Sequence, residues 1–172
     1  MGKINFKSKV NTYKDFPEKG ILFRDISPIL EDYLAFSSLI DNMARSKTFK
    51  MADAIIIVDA RGFILGSSIS IKTGKPIVMA RKYGKLPGEI ICKSYKLEYG
   101  ENKLCIQRES IKHFQNFVIV DDILATGGTV DCIAKILDSE RKKILGLSVA
   151  IELKDLNGRA KFSFPVTSEM VY

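Results

Sequence analysis

The run Asp121-Asp122-Ile123-Leu124-Ala125-Thr126-Gly127-Gly128-Thr129 sets two adjacent carboxylates just ahead of two hydroxyls and two glycines. Glycines let a backbone curl until successive N–H groups point into one hollow. A helix starting there adds orphan donors and a partial positive charge. Thr126 and Thr129 add hydroxyl donors. The result is a phosphate cradle without lysine, and because GxxxxGK[ST] occurs nowhere in the chain it is not a P-loop. Carboxylates beside such a cradle would repel the same anion. The conflict resolves if Asp121 and Asp122 face hydroxyl groups or a hydrated cation. A ribose 5-phosphate offers a phosphate to the cradle and a diol to the acids. A ligand-free helix cap with a glycine-rich connector would need only one such residue, not the whole run.

Two further groups carry the opposite charge. Asp59-Ala60-Arg61-Gly62 follows the apolar run Ala54–Val58. Gly62 permits tight approach, and Arg61 supplies a planar fork suited to bidentate phosphate contact. Arg81, Lys82 and Lys85 follow the apolar run 76–80. Three cations at one strand end make a poor core and a good anion clamp, although a solvated basic loop would use the same residues. Tyr95, Glu98 and Tyr99 interleave aromatic and polar side chains, and Glu98 is a carboxyl of the kind general acid–base catalysis uses.

The elements that must position these residues alternate. Ala54–Val58 (AIIIV) is short, β-branched and continuous, as a strand buried on both faces reads. A helix-like stretch covers residues 63–71, and Gly74 and Pro76 close it. Residues 76–80 and 117–120 read as strands, and 144–153 as a final long strand. Val130, Ile133, Ala134 and Leu137 fall at i, i+3, i+4 and i+7, one apolar face of a helix. Strand–helix–strand alternation implies a mostly parallel sheet, with ligands at the carboxyl ends of its strands. Residues 1–33 and 83–110 do not fit the alternation and read as a flanking subdomain or lid.

Bulk properties allow this reading. The 172 residues suit one domain. Net charge is +7, which attracts anions without choosing among nucleic acid, acidic membrane and polyphosphate. No run is long and apolar enough to span a bilayer, and the N-terminus is not a secretory signal. Cys92, Cys105 and Cys132 form no CxxC pair, which argues against zinc and reads as three unpaired thiols in a reducing setting. The lone His113 has no Cys or His neighbour in sequence and reads as a loop residue.

Read together, these stretches resemble a known family. Val118–Thr129 (VIVDDILATGGT) is similar to the phosphoribosyl-diphosphate signature of the type I phosphoribosyltransferases, in the form carried by members acting on adenine. Phe16-Pro17 with residues 20–28 resembles that group's base-binding segment, and Asp59–Phe63 its pyrophosphate loop. Residues 81–87 and 94–100 resemble its lid. The resemblance runs in order over residues 16–158 and implies an α/β fold with a mostly parallel central sheet flanked by helices. A small N-terminal hood at 1–33 and a flexible lid loop at 83–100 would complete a single domain. It implies pyrophosphate binding by Asp59, Ala60, Arg61, Arg81, Lys82 and Lys85. Ribose phosphate would be held by Asp121, Asp122, Ala125, Thr126, Gly127, Gly128 and Thr129, and adenine by Leu22, Phe23, Arg24 and Leu153. Glu98 would be the catalytic acid or base, with Tyr99 beside it on the lid. Mg²⁺ would arrive mostly with the substrate, with Asp121 and Asp122 as candidate ligands.

The implied reaction transfers a 5-phosphoribosyl group from phosphoribosyl diphosphate to adenine, giving AMP and pyrophosphate. The implied setting is a cytoplasmic homodimer without nucleic-acid or membrane partners. Relatives acting on 6-oxopurines carry an aspartate where this chain has Ala125, so its absence favours adenine. Xanthine-specific relatives also carry alanine there, which keeps a xanthine- or other purine-specific enzyme as an alternative. A non-catalytic regulator binding nucleotide and nucleic acid is the other, although a pure binder has no use for a pyrophosphate loop and lid.

Overall fold

A computed structural model describes residues 4–97 and 100–172. The chain divides into two compact units, one ending at Asn42 and the other spanning Met43–Tyr172.

In the first unit, β1 (Asn11–Lys14) pairs antiparallel with β2 (Leu22–Asp25), setting Tyr13 opposite Phe23 and Thr12 opposite Arg24. The connection is built from turn chemistry. Phe16–Pro17 is a cis peptide, Gly20 has φ +91°, and the Gly20 N–H donates to Asp15 Oδ1 at 2.7 Å. Phe16 meets Phe23 edge to face, with centroids 5.1 Å apart. Helices α1 (Ser27–Glu31) and α2 (Tyr33–Met43) follow. Asp25 Oδ1 accepts from both the N–H and the hydroxyl of Ser27, and Asp32 Oδ1 accepts from the N–H groups of Leu34 and Ala35.

The second unit contains α3 (Lys47–Met51), β3 (Ala54–Val58), α4 (Arg61–Thr73), β4 (Ile77–Lys82), β5 (Ile90–Leu97) and β6 (Gly100–Gln107). It continues with α5 (Arg108–Ile111), β7 (Asn116–Leu124), α6 (Gly128–Ser139), β8 (Lys143–Glu152) and β9 (Val166–Val171). One seven-stranded sheet has the order β5-β6-β4-β3-β7-β8-β9. From β4 to β9 every pairing is parallel, and the β5–β6 hairpin adds to β4 antiparallel. The expected central strands are present, with all five residues of β3 buried. Helix α4 packs on β3, β7 and β4, while α6 packs on β5, β6 and β8. Gly66 makes the first packing possible, since a Cβ there would stand 2.1 Å from Ile57 Cγ2. The apolar side of α6 buries Val130, Cys132, Ile133, Ile136 and Leu137, with Ala134 only half-buried.

Three sequence expectations need correction. The strand at 144–153 is not the last, because β9 adds parallel to it. The strand at 117–120 runs on through both acids to Leu124. Cys92 and Cys105 face each other across β5 and β6 and form a disulfide, leaving only the buried Cys132 as a free thiol. The two lie thirteen positions apart in sequence, but the hairpin brings their Cα atoms to 4.1 Å, a register the spacing of the cysteines alone does not reveal. Among the described residues, no helix is long and apolar enough to cross a membrane.

Candidate active site

Strands β3 and β7 are parallel neighbours, so the turns that leave them open at the same end of the sheet. Between these turns lies a cleft of about 290 Å³. Asp59, Ala60, Arg61, Lys82, Asp121, Asp122, Ala125, Thr126, Gly127, Gly128 and Thr129 all line it. That size is at the small end for ligand sites.

The β7 turn is a backbone device. Gly127 has φ +79° and is the N-cap of α6, with no side chain closing the helix end. The first N–H groups of α6 are therefore orphan donors with the positive end of the helix behind them, at residues that line the cleft. Gly127 is also tightly supported, since a Cβ on it would meet the Gly158 carbonyl oxygen and Phe162 Cζ, both at 3.0 Å.

The β3 turn is a side-chain device. Asp59–Ala60 is a cis peptide, and α4 begins directly after it. Gly62 brings α4 onto β7, where a Cβ would stand 3.0 Å from the Val120 carbonyl and 3.1 Å from Asp121 Oδ1. Arg61 Nε reaches Asp122 Oδ2 at 2.7 Å. Arg81 lies on β4 beside this turn. Its Nε contacts Asp59 Oδ2 at 3.1 Å, its Nη1 donates to the Lys85 carbonyl at 3.3 Å, and its guanidinium sits 5.6 Å from the Phe63 ring centroid. Both arginines read as anion ligands thus rest on carboxylates.

The adjacent acids differ in environment. Asp121 and Asp122 are 8% and 6% exposed. Asp122 has Arg61 as counter-ion. Asp121 accepts the Asp122 N–H at 2.9 Å. Burial first, and then the charge of Asp122, push the Asp121 carboxyl well above the usual carboxylate range. An ion-paired carboxyl beside one whose pKa is raised suits hydrogen bonding to a diol.

Several expected residues stand outside the cleft lining. Lys85 is exposed and contributes its carbonyl to Arg81. Leu153 follows β8 half-buried, its N–H donating to the Leu124 carbonyl at 2.9 Å. Leu22, Phe23 and Arg24 form β2 of the first unit. Glu98 and Tyr99 lie outside the described residues. The sequence reading missed Leu104, which lines the cleft from β6 opposite Lys82, and Gly158, which touches the 125–127 turn. The Asn157-Gly158 turn pair was the available signal for the latter.

As for magnesium, no group of three or more His, Cys, Asp or Glu side chains able to hold a metal occurs among the described residues. One of the two cleft acids is ion-paired and the other has a raised pKa. This donor set fits a cation that brings most of its oxygen ligands with a phosphate substrate, the habit of Mg²⁺.

Residues 30–162 match the family model described as the phosphoribosyl transferase domain. A Prochlorococcus marinus protein named adenine phosphoribosyltransferase is 55% identical over 166 residues, 96% of each chain. The crystal structure of adenine phosphoribosyltransferase from Thermoanaerobacter pseudethanolicus superposes with a TM-score of 0.90 at 37% identity, covering 97% of this chain and 98% of that one. The Saccharomyces cerevisiae enzyme, in complex with an imino-altritol bisphosphate and adenine, gives 0.83 at 33% identity over 95% and 96%.

Proposed function

The chain belongs to the phosphoribosyltransferase family, and on that premise we propose how its cleft works. The protein is an adenine phosphoribosyltransferase of purine salvage. It transfers the 5-phosphoribosyl group of phosphoribosyl diphosphate to adenine, giving AMP and pyrophosphate. The observation that carries the assignment of parts is the contact of the two turns. Arg61, on the cation-bearing turn, reaches Asp122, on the strand that feeds the phosphate cradle, at 2.7 Å. A sugar phosphate in the cradle would hold its anomeric carbon toward the cations.

The residues then divide the work. The N–H groups of Gly128 and Thr129, with the hydroxyls of Thr126 and Thr129, bind the 5-phosphate. Asp121 and Asp122 orient the ribose hydroxyls. Arg61 and Arg81 exchange their carboxylate partners for the diphosphate, with Lys82 and Lys85 nearby. They stabilise the negative charge that grows as the C1–O bond breaks and C1 becomes oxocarbenium-like. Magnesium, when bound, would neutralise diphosphate charge, held through substrate oxygens and at most these two acids. Exclusion of water from the cleft protects the activated sugar from hydrolysis. Leu22, Phe23, Arg24 and Leu153 are proposed adenine contacts, and Glu98 on the lid is the proposed proton acceptor or donor at the purine. A homodimer in the cytoplasm completes the reading, and reductants there would hold Cys92 and Cys105 as thiols.

The test is AMP formation from adenine and phosphoribosyl diphosphate with magnesium, with hypoxanthine, guanine and xanthine as competitors. Turnover of adenine alone is expected. Turnover of another base with none of adenine overturns the acceptor.

A further inference from the structure

The phosphate turn is supported from behind by a segment that none of the proposed binding roles uses. Residues 154–161 follow β8 as two short 3₁₀ turns joined at Asn157, which has φ +50°. At their junction Gly158 lies backbone to backbone against the phosphate turn. A Cβ on Gly158 would stand 2.2 Å from the Ala125 carbonyl oxygen and 3.0 Å from the Gly127 nitrogen. Contact this close leaves no room for an intervening side chain or water, so residues 125–127 cannot move toward residue 158 while it stays in place.

The next residue fixes that segment. Arg159 Nε donates to Glu152 Oε1 at 2.8 Å and its Nη2 donates to Glu152 Oε2. Its Nη1 donates to the Val166 carbonyl at 2.6 Å, and the Ser168 hydroxyl donates to Glu152 Oε2 at 2.8 Å. Glu152 is 6% exposed and stands opposite Leu124, the last strand residue before the phosphate turn. Hydrogen bonding from Arg159 holds the Glu152 carboxyl below the usual carboxylate range, so the anchor is ionised at neutral pH. The fork thus ties the 154–161 segment to Glu152 at the end of β8 and to Val166 at the start of β9.

Resting on the reading of residues 125–129 as the 5-phosphate cradle, we propose that Arg159, anchored by Glu152, is a positioning residue that clamps Gly158 against Ala125–Gly127 and so keeps the cradle in its phosphate-binding shape. Neither side chain touches substrate. The clamp acts on binding through the backbone it holds, and a bidentate fork suits it because two parallel bonds fix direction as well as distance.

The test uses the full chain and ribose 5-phosphate as the calorimetric probe, which needs no turnover. Arg159→Met should weaken ribose 5-phosphate binding about 10-fold, within what a displacement of about 1 Å in a remote support produces. Arg159→Lys, keeping charge without the fork, should recover only part of it, and Glu152→Gln should match Arg159→Met. In steady state, KM for phosphoribosyl diphosphate should rise while KM for adenine holds, a split that general destabilisation would not give. If Arg159→Met does not fold, Arg159→Lys and Glu152→Gln decide the question by the same readouts. Wild-type affinity for ribose 5-phosphate in the folded variants overturns the clamp, even if the wild type forms AMP. A wild type that binds ribose 5-phosphate but forms no AMP, with weaker binding in the variants, overturns the reaction and keeps the clamp. No binding of ribose 5-phosphate by the wild type overturns both.

Discussion

The turns after β3 and β7 leave adjacent parallel strands at the same end of the sheet, yet in the proposed function they would hold anions by different means. The β3 turn works through side chains, Arg61 with Arg81 beside it, and each guanidinium rests on a carboxylate at 2.7 or 3.1 Å. The β7 turn works through backbone, with Gly127 at φ +79° and the start of α6 directly behind it. A side-chain grip can trade partners as a reaction proceeds, because the guanidinium swings on a flexible stem. A backbone grip cannot swing, so its shape must be set beforehand by what packs behind it, here Gly158 and Phe162. The first suits a leaving group whose charge grows and departs. The second suits a phosphate that is only an anchor.

The division is most exposed to test at Arg61. Arg61→Met should lower kcat by about 10²–10³-fold, the usual loss when one preorganised donor to developing charge is removed. Ribose 5-phosphate affinity should fall far less, because this ligand carries no diphosphate and Arg61 reaches the ribose only through Asp122. Steady-state kinetics and calorimetry read the two quantities separately. Equal losses in both would mean that the two turns share one job.

Gly127→Ala addresses the backbone side. The left-handed conformation costs a residue with a Cβ roughly 1–2 kcal/mol, or about 5–30-fold in ribose 5-phosphate affinity. The added methyl also meets the Gly158 carbonyl at 3.0 Å. The loss should appear in KM for phosphoribosyl diphosphate with kcat largely kept, the reverse of the Arg61 pattern. A variant that lost kcat and kept KM would remove the distinction between the turns.

Much of this was legible in the residues. β3 announced itself as an unbroken β-branched run, and the acids, hydroxyls and glycines of 121–129 read as one group do line one cleft. What stayed hidden depends on contacts distant in sequence. Nothing local to Arg61 tells that it rests on Asp122, 61 residues later by the numbering, because that pairing follows from β3 lying beside β7. The Cys92–Cys105 pairing depends on hairpin register, and the support from Gly158 depends on where the chain returns after β8. β9 was missed because Val166-Thr167-Ser168-Glu169-Met170-Val171 has a polar centre. It serves as an edge strand, with Met170 its one buried residue.

Asp121 refines the comparison further, since it lies where the two turns meet. Burial and the neighbouring Asp122 raise its carboxyl pKa in the folded protein above the ordinary value of 3.8. Between that value and the raised one, the native state binds more protons than the unfolded state, so stability falls as pH rises through the window. Asp121→Asn removes the penalty and keeps an oxygen to accept the Asp122 N–H. Thermal melts should show the variant a few degrees more stable at pH 7, with the gap closing as the pH falls toward 3.8. Activity should drop about fivefold, the worth of about 1 kcal/mol for a lost hydrogen bond to the sugar. A variant less stable than wild type at pH 7 would mean that Asp121 is held as a favourable anion.

The smallest effect on turnover belongs to the cross-link. Cys105 pairs with Cys92 on one side and is the register partner of Arg81 on the other, so the disulfide ties the hairpin to the side-chain grip. Closing a short loop of this kind contributes about 3 kcal/mol. For a chain of this length that corresponds to roughly 6–12 °C in Tm. Cys92→Ser, or reduction by a dithiol, should therefore lower Tm clearly and raise KM for phosphoribosyl diphosphate only slightly, through looser placement of Arg81. Ribose 5-phosphate affinity should move little, because the hairpin packs on α6 while the turn ahead of that helix takes its shape from Gly158 and Phe162 on the far side of β7. A loss of ribose 5-phosphate affinity on reduction would show that the hairpin also supports the backbone grip, and the two turns would then share a scaffold as well as a cleft.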